Sequence, residues 1–187
     1  MSAYELPTSL IVGGVGYSIR SDFRAILDIL IALNDNELDE RDKSYVMLNI
    51  MYEKWEEIPP EHLEEALKKA SDFIDCGHHD DGKKHPKTID WEQDANIIIP
   101  AVNKVAHTEI RAVQYMHWWT FMSYYMEIGE SLFASVINIR LKKSKGKKLE
   151  KWEQDFYKEN KSIIDFENKT QRSEEEKAEL RALFGYK

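Results

Sequence analysis

The chain has 187 residues, a net charge of -8 and one cysteine. This length supports one domain, or one domain with a helical extension, and it is sufficient to bury a hydrophobic core without disulfide bonds. Residues 1–77 contain 7 basic and 16 acidic side chains, and such an acidic front half argues against a general nucleic-acid-binding protein, whose phosphate contacts need local positive charge.

The first residues lack the basic and apolar segments of a secretory signal peptide. No apolar run approaches the roughly 20 residues that a membrane-spanning helix needs. The single cysteine, Cys76, permits no intramolecular disulfide, which suits a reducing compartment. We therefore expect a protein that is made in the cytoplasm and stays there.

Residues 9–19 contain two short β-prone runs on either side of Gly13 and Gly14, with Gly16 close behind. Glycine accepts the positive φ angles of a tight hairpin turn, so this segment predicts a β-hairpin. A phosphate-binding loop is the alternative interpretation, but it needs a lysine and a serine or threonine next, and Tyr17 follows instead. We favour a hairpin that packs on a helix, because an isolated hairpin is marginal in water.

Three helices are predicted between the hairpin and Gly77. Ser21 is the candidate N-cap of the first helix, which runs to about Leu33 on the spacing of its apolar residues. The second helix spans roughly 39–55. The third begins at Pro60, a residue suited to a first helical turn, and Gly77 is its stop signal.

A polar segment marked by glycine and proline, residues 78–89, separates two halves of the chain. We interpret residues 1–77 as an N-terminal region with the hairpin and three helices, and residues 90–187 as a C-terminal helical region. We expect these halves to form one composite domain, with a helical extension from about residue 147.

The C-terminal half begins with a further helix signal. Asp90 and Gln93 resemble a capping box that opens a fourth helix. Pro100 should kink this helix or restart it. The helical pattern then continues through the aromatic run 115–126 to about Gly129.

The remaining elements are also predicted to be helical. Ser131 opens a helix that Gly146 interrupts, and apolar spacing predicts a restart over 147–164. Ser173 and Glu176 form a second capping-box pattern, which predicts a short last helix. The predicted fold class is mainly α, a helical bundle with a short N-terminal β-hairpin.

One sequence feature suggests a metal site, a cluster in the polar loop formed by His78, His79, Asp80, Asp81 and His85. A catalytic metal usually needs three ligands fixed on a scaffold, so a solvated loop is favoured over a metal-dependent hydrolase. Cys76 stands beside Asp75, whose negative charge disfavours a reactive thiolate. We expect no enzyme activity, no catalytic residues, no bound metal and no cofactor.

Two segments are candidate partner-binding surfaces. Aromatic and methionine side chains cover nearly all faces of the predicted helix 115–126, which favours core packing, with His117 as a hydrogen-bonded core histidine, over a partner groove. In the basic run 140–151, a solvated helix end is favoured over contact with an acidic protein, and nucleic acid is the weakest interpretation. The candidate binding residues are His117, Trp118, Trp119, Phe121, Tyr124, Tyr125, Arg140, Lys142 and Lys143.

Several segments, taken in chain order, resemble one known family. They are Leu6-Pro7-Thr8-Ser9 before the glycine hairpin, Ser21-Asp22-Phe23-Arg24, Ile58-Pro59-Pro60, Asp72-Phe73-Ile74, Met116-His117-Trp118-Trp119-Thr120-Phe121 and Val136-Ile137-Asn138-Ile139-Arg140. Over about residues 6–160, this order and spacing resembles the bacteriophage "Gp-fifteen" family. That family occurs in phages and prophages of Gram-positive bacteria, and its genes typically lie between those of the major tail protein and the tape-measure protein.

The resemblance implies a tail assembly chaperone that binds the tape-measure protein before the tail tube polymerises, in the cytoplasm of the host bacterium. It also admits the major tail tube protein as a second partner and the formation of a homo-oligomer. The alternative function is a structural component of the mature phage tail. We expect neither membrane nor nucleic-acid partners.

Overall fold

The computed structural model describes residues 4–77, 86–167 and 175–176, and the structural statements below concern these residues. Within them the fold is mainly α with a two-stranded antiparallel sheet, as predicted. The strands are β1 (Ser9–Val12) and β2 (Val15–Ser18), and the helices are α1 (Phe23–Leu33), α2 (Glu40–Met51), α3 (Leu63–Ile74), α4 (Ala95–Ala106), α5 (Trp118–Met126), α6 (Leu132–Ser144), α7 (Lys151–Glu159) and α8 (Lys161–Ile164). Across these ranges, no helix is both long and apolar enough to cross a membrane.

The described residues form two compact units. The first unit contains residues 4–77 together with 117–119, and the second contains 86–116 together with 120–167. The predicted loop boundary between two halves stays a prediction, because most of that loop lies outside the described ranges.

The predicted hairpin is confirmed, and its turn is made by two glycines. Gly13 and Gly14 have φ angles of +57° and +81° and join Val12 to Val15 in a two-residue turn. The Gly13 N–H donates to the carboxylate of Glu65 at 3.0 Å. This bond holds the turn against α3, so the hairpin packs on a helix as expected.

Helix α1 begins one residue later than predicted, because Asp22 rather than Ser21 is its N-cap. The Asp22 carboxylate accepts a hydrogen bond from the Arg24 N–H at 3.0 Å. Ser21 is buried, and its carbonyl oxygen accepts from the Trp118 N–H at 2.7 Å. The stronger capping side chain is therefore the neighbouring aspartate, and Ser21 serves a tertiary contact.

Helix α2 begins after the N-cap Asp39, as predicted, but it ends at Met51 instead of about residue 55. Tyr52 takes an extended conformation and forms an antiparallel bridge with Ile19. The Tyr52 hydroxyl also donates to the Ala66 carbonyl oxygen at 2.8 Å. Strand pairing and burial of this tyrosine therefore override the helical spacing that predicted a longer helix.

The third predicted helix is confirmed as α3. Pro60 opens a 3-10 turn that leads into it, and Gly77, with a φ angle of +76°, follows its end. The core of the first unit is formed by apolar side chains from the hairpin, α1, α2 and α3. Fully buried members include Ile26, Ile29, Met51, Ala66, Ala70 and Phe73.

In the second unit, α4 starts later than the capping-box pattern predicts. Asp90 does accept from the Gln93 N–H at 3.1 Å, but this bond forms a turn, and the helix begins at Ala95. The Gln93 side-chain oxygen accepts from the Glu167 N–H at 3.1 Å, and the Asp90 N–H donates to the Asp94 carboxylate at 2.9 Å, so the box is not completed. Pro100 neither ends nor restarts the helix, which continues to Ala106.

The prediction of one helical pattern running from α4 through the aromatic run is wrong. Helix α4 ends where His107 adopts a left-handed conformation with φ +53°, and α5 begins only at Trp118. The Asn103 side chain anchors the loop between α4 and α5, because its oxygen accepts from the Ile110 N–H at 2.9 Å. Ile110 is fully buried, so the loop contributes an apolar side chain to the core. The helical spacing had predicted a helix for this segment.

The later elements follow the sequence signals closely. Ser131 caps α6 by accepting from the Ala134 N–H at 3.1 Å, and Gly146, with φ +63°, follows its end. The predicted restart is confirmed as α7 and α8. Val136, Ile139 and Ile164 form the buried centre where α6 meets α8. Ser173 of the predicted last helix lies outside the described residues.

Candidate partner-binding surface

His117 is a buried residue that joins two distant segments of the first unit. Its Nε2–H donates to the Pro7 carbonyl oxygen at 3.0 Å, and its Nδ1 accepts from the Trp119 N–H at 3.0 Å. A carbonyl only accepts and an amide N–H only donates, so these partners select the neutral imidazole with its proton on Nε2. Burial lowers the pKa of His117, against the opposing effect of the hydrogen bond to Pro7.

The two adjacent tryptophans attach the start of α5 to the end of α3. Trp118 is buried, and its indole N–H donates to the Ile74 carbonyl oxygen at 2.8 Å. Trp119 is half-buried, stacks on Phe73 with ring centroids 5.8 Å apart and donates to the Phe73 carbonyl oxygen at 2.9 Å. Both indole N–H groups are therefore used inside the first unit.

The remaining predicted aromatic residues lie in the second unit. Phe121 is buried, and Tyr124 and Tyr125 are half-buried. The Tyr125 ring contacts Trp91 and Phe133, with centroid distances of 5.4 and 5.6 Å. Burial, with the nearby Asp94 charge contributing, raises the pKa of Tyr125 to about 12. This cluster fixes α5 against α6 and leaves little of the predicted rings open to a partner.

Arg140 is buried and bonds three separate segments of the second unit. Two of its N–H groups donate to the carboxylate of Asp94 at 2.6 and 2.9 Å. The other three donate to the carbonyl oxygens of Thr88 at 3.0 Å, Ile163 at 2.8 Å and Ile164 at 2.7 Å. All five guanidinium N–H groups therefore have acceptors within the second unit, so Arg140 is a buried structural residue of that unit.

Lys142 and Lys143 hold the last helices onto α6. The Lys142 ammonium donates to the buried carboxylate of Glu153 at 2.6 Å, and this hydrogen bond is the main cause of the lowered pKa of Glu153. Lys143 pairs with Asp165 and lies 3.9 Å from the ring centroid of Tyr157. The two lysines therefore have intramolecular partners.

Other apolar side chains face solvent instead. Met126 at the end of α5 and Leu132 at the start of α6 are 58% and 44% exposed, and the half-buried Ile128 lies between them in the chain. We call these three residues the apolar corner. Sequence reasoning missed them because Met126 and Leu132 fit the apolar spacing of their helices. Their position beside the glycine-containing turn between two helices was the available signal.

The other chemical possibilities can be stated for the described part of the chain. There, no group of three or more His, Cys, Asp and Glu side chains is placed to hold a metal ion. The histidine and aspartate cluster of residues 78–85 lies outside the described ranges. Burial, reinforced by the charge of Asp75, raises the pKa of the Cys76 thiol to about 11, so the unreactive thiol dominates at neutral pH.

Comparison with known proteins identifies one match. A family model described as Bacteriophage Gp15 protein matches residues 4–166. No curated protein and no solved structure matches the chain. The matched range includes both units and almost every residue that the structure describes.

Proposed function

The chain belongs to the Bacteriophage Gp15 protein family, and from this membership we propose that it is a tail assembly chaperone that binds the tape-measure protein. In this proposal it acts without catalysis, in the cytoplasm of the host bacterium, before the tail tube polymerises. The observation that supports a binding role is the exposure of the apolar corner at the end of α5 and the start of α6.

The apolar corner has the properties that binding to a helix requires. Met126 and Leu132 are both more than two-fifths exposed, and both sit at ends of helices whose positions are fixed by buried neighbours. Methionine is flexible and polarisable, so it adapts to partners of varied shape. An amphipathic helix can lay its apolar face on such a surface.

The buried aromatic residues have a supporting role in this proposal. Trp118 and Phe121 are almost fully buried on the two sides of Trp119 in the chain, so they hold α5 in place. Of the predicted aromatic candidates, Trp119, Tyr124 and Tyr125 retain partial exposure. We therefore assign partner contact to the apolar corner, with Trp119 as a secondary contact.

The size of the apolar corner suits a chaperone. A tape-measure protein is long, helical and apolar along one side, so it would aggregate without cover. The chaperone must also release it when the tube forms. A small apolar contact gives modest affinity and rapid exchange, whereas a large obligate interface would resist release.

Capture by the purified tape-measure protein of the same phage tests this proposal. We expect the double variant Met126→Asp with Leu132→Asp to bind at least about tenfold more weakly, because each apolar anchor is worth about 1 kcal/mol or more. Ile11→Asp is the matched control, since Ile11 is equally apolar and 65% exposed but lies on the hairpin. Equal capture of the native chain, the double variant and the Ile11→Asp variant would refute the apolar corner as the binding surface.

Two further measurements complete the test. If Trp119→Ala is folded and binds the tape measure unchanged, Trp119 belongs to the core alone. Mass spectrometry of purified phage particles distinguishes the two functions. A chaperone should be absent from the particle, and stoichiometric presence would establish a structural tail component and overturn the chaperone proposal.

A further inference from the structure

Four lysines after α6 form a positively charged surface that the fold does not use. They are Lys145, Lys147, Lys148 and Lys151, and we call them the lysine patch; all four are exposed. Within the described residues none of the four side chains has an ion-pair partner, in contrast to Lys142 and Lys143 just before them. In the described part of the chain, the positive charge of the patch is therefore not neutralised by ion pairs.

An exposed tryptophan adjoins the lysine patch. Trp152 is 55% exposed, and its indole N–H donates to the Glu150 carboxylate at 3.2 Å. Glu150 is the sole carboxylate of segment 144–152, and it is also engaged in the capping box of α7 with Glu153. Tryptophan is one of the residues that are enriched in protein interfaces.

The first unit carries a surface of the opposite charge. Glu53, Glu56, Glu61 and Glu64 are exposed, and we call them the acidic patch. Across the described parts of the chain, none of these four carboxylates has an ion-pair partner, and the nearby Lys54 is paired with Glu57 at 2.9 Å. Residues 53–64 contain five glutamates, and without Glu57, which is paired with Lys54, the remaining four equal the four cations of the lysine patch in number.

The hairpin turn adds an apolar element beside the acidic patch. Gly13 donates to Glu65 next to this patch, and Val15, which follows the turn, is 54% exposed. An exposed apolar side chain and exposed carboxylates therefore occur in the same unit. The two surfaces are complementary in charge and each contains an exposed apolar side chain.

We propose that the lysine patch of one copy of this chain binds the acidic patch of a second copy. The interaction is independent of the tape-measure protein and goes beyond the chaperone role. A nucleic acid would meet the same lysines but would leave the acidic patch without a partner. The second copy is favoured because it supplies the matching charges itself.

Sedimentation velocity of the full chain over a concentration series tests this proposal. We expect complexes larger than one chain at low salt and their loss at high salt, because exposed ion pairs are screened over about 10 Å at 0.1 M. Lys147→Glu with Lys148→Glu should weaken association at least about tenfold, since the patch then holds two lysines and two glutamates and has no net charge. Glu56→Lys with Glu61→Lys should do the same.

Mixing the two charge-reversed proteins is the decisive step. The first variant keeps its acidic patch and the second keeps its lysine patch, so the mixture should associate again although neither does alone. Lys104→Glu with Lys158→Glu is the matched control, because it changes the net charge equally outside the patch. A monomer at every concentration in low salt, no recovery on mixing, or equal weakening by the control would overturn the proposal, as would binding of single-stranded DNA without self-association.

Discussion

The carbonyl oxygen of Pro7 and Nε2 of His117 are 3.0 Å apart although 110 positions separate them in the sequence. The same imidazole caps α5 through the Trp119 N–H. A protonated imidazole has two donors and no acceptor, so it could keep the bond to Pro7 but would lose the bond to Trp119. His117 therefore favours the neutral form, which agrees with its lowered pKa.

The first prediction concerns pH. The unfolded chain binds a proton at His117 near the usual pKa of 6.5, whereas the folded chain binds it only at lower pH. Acid therefore favours the unfolded state, so the contribution of His117 is present above 6.5 and declines as pH falls below it. Urea unfolding should show that the free energy of unfolding decreases less between pH 7.5 and pH 5.5 for His117→Asn than for the native chain. His107→Asn, at an exposed left-handed residue, should retain the native decrease.

The second prediction concerns Arg140. Arg140→Met leaves the Asp94 carboxylate buried without its cation, so the free energy of unfolding should fall by about 3–5 kcal/mol. Adding Asp94→Leu should recover part of this loss, because the unpaired charge is then removed. Lys148→Met, at an exposed residue of the same basic run, should change stability by less than about 0.5 kcal/mol. A loss below about 1 kcal/mol for Arg140→Met would contradict the structure.

The third prediction compares the two turn glycines. A Cβ atom at Gly13 would lie 2.7 Å from the His62 imidazole, in addition to the strain of a positive φ, whereas Gly14 faces open space. We expect Gly13→Ala to lower the free energy of unfolding by about 1–3 kcal/mol and Gly14→Ala by about 1 kcal/mol. Chemical denaturation measures both. Equal losses would show that the His62 side chain moves aside without cost.

The fourth prediction separates buried from exposed tryptophan. Trp118→Ala should cost about 3–5 kcal/mol, because it removes a buried ring and leaves the Ile74 carbonyl oxygen without its donor. Trp152→Ala should cost less than about 0.5 kcal/mol, since its ring is largely exposed. Thermal unfolding followed by circular dichroism measures both variants. A comparable loss for Trp152→Ala would place that ring in the core.

Local signals predicted most of the elements. Some signals act within a few residues and can be read directly from the sequence. They are the paired glycines Gly13 and Gly14, the Ser131 cap and the helix stop at Gly146. The helix boundaries that the sequence did not predict depend on contacts between residues far apart in the chain. Tyr52 leaves its helix to pair with Ile19, and no local rule anticipates that contact.

The candidate site was harder to predict, because burial of charged residues depends on partners far along the chain. Arg140 reads as the first residue of a basic run, yet its carboxylate partner lies 46 positions earlier. One signal was present in the sequence. Val136, Ile139 and Arg140 follow helical spacing, which puts the arginine on the apolar side of α6.

The five bonds of Arg140 also determine how far the chain can be shortened. The Phe166 ring lies 4.2 Å from the guanidinium carbon, and the preceding turn supplies two of the carbonyl acceptors. Family similarity extends to this same residue. A truncated chain that ends before Phe166 would lose the ring that covers the buried Arg140 guanidinium, and a still shorter chain would also lose its carbonyl acceptors. Chains truncated for crystallisation or labelling should therefore end after Phe166.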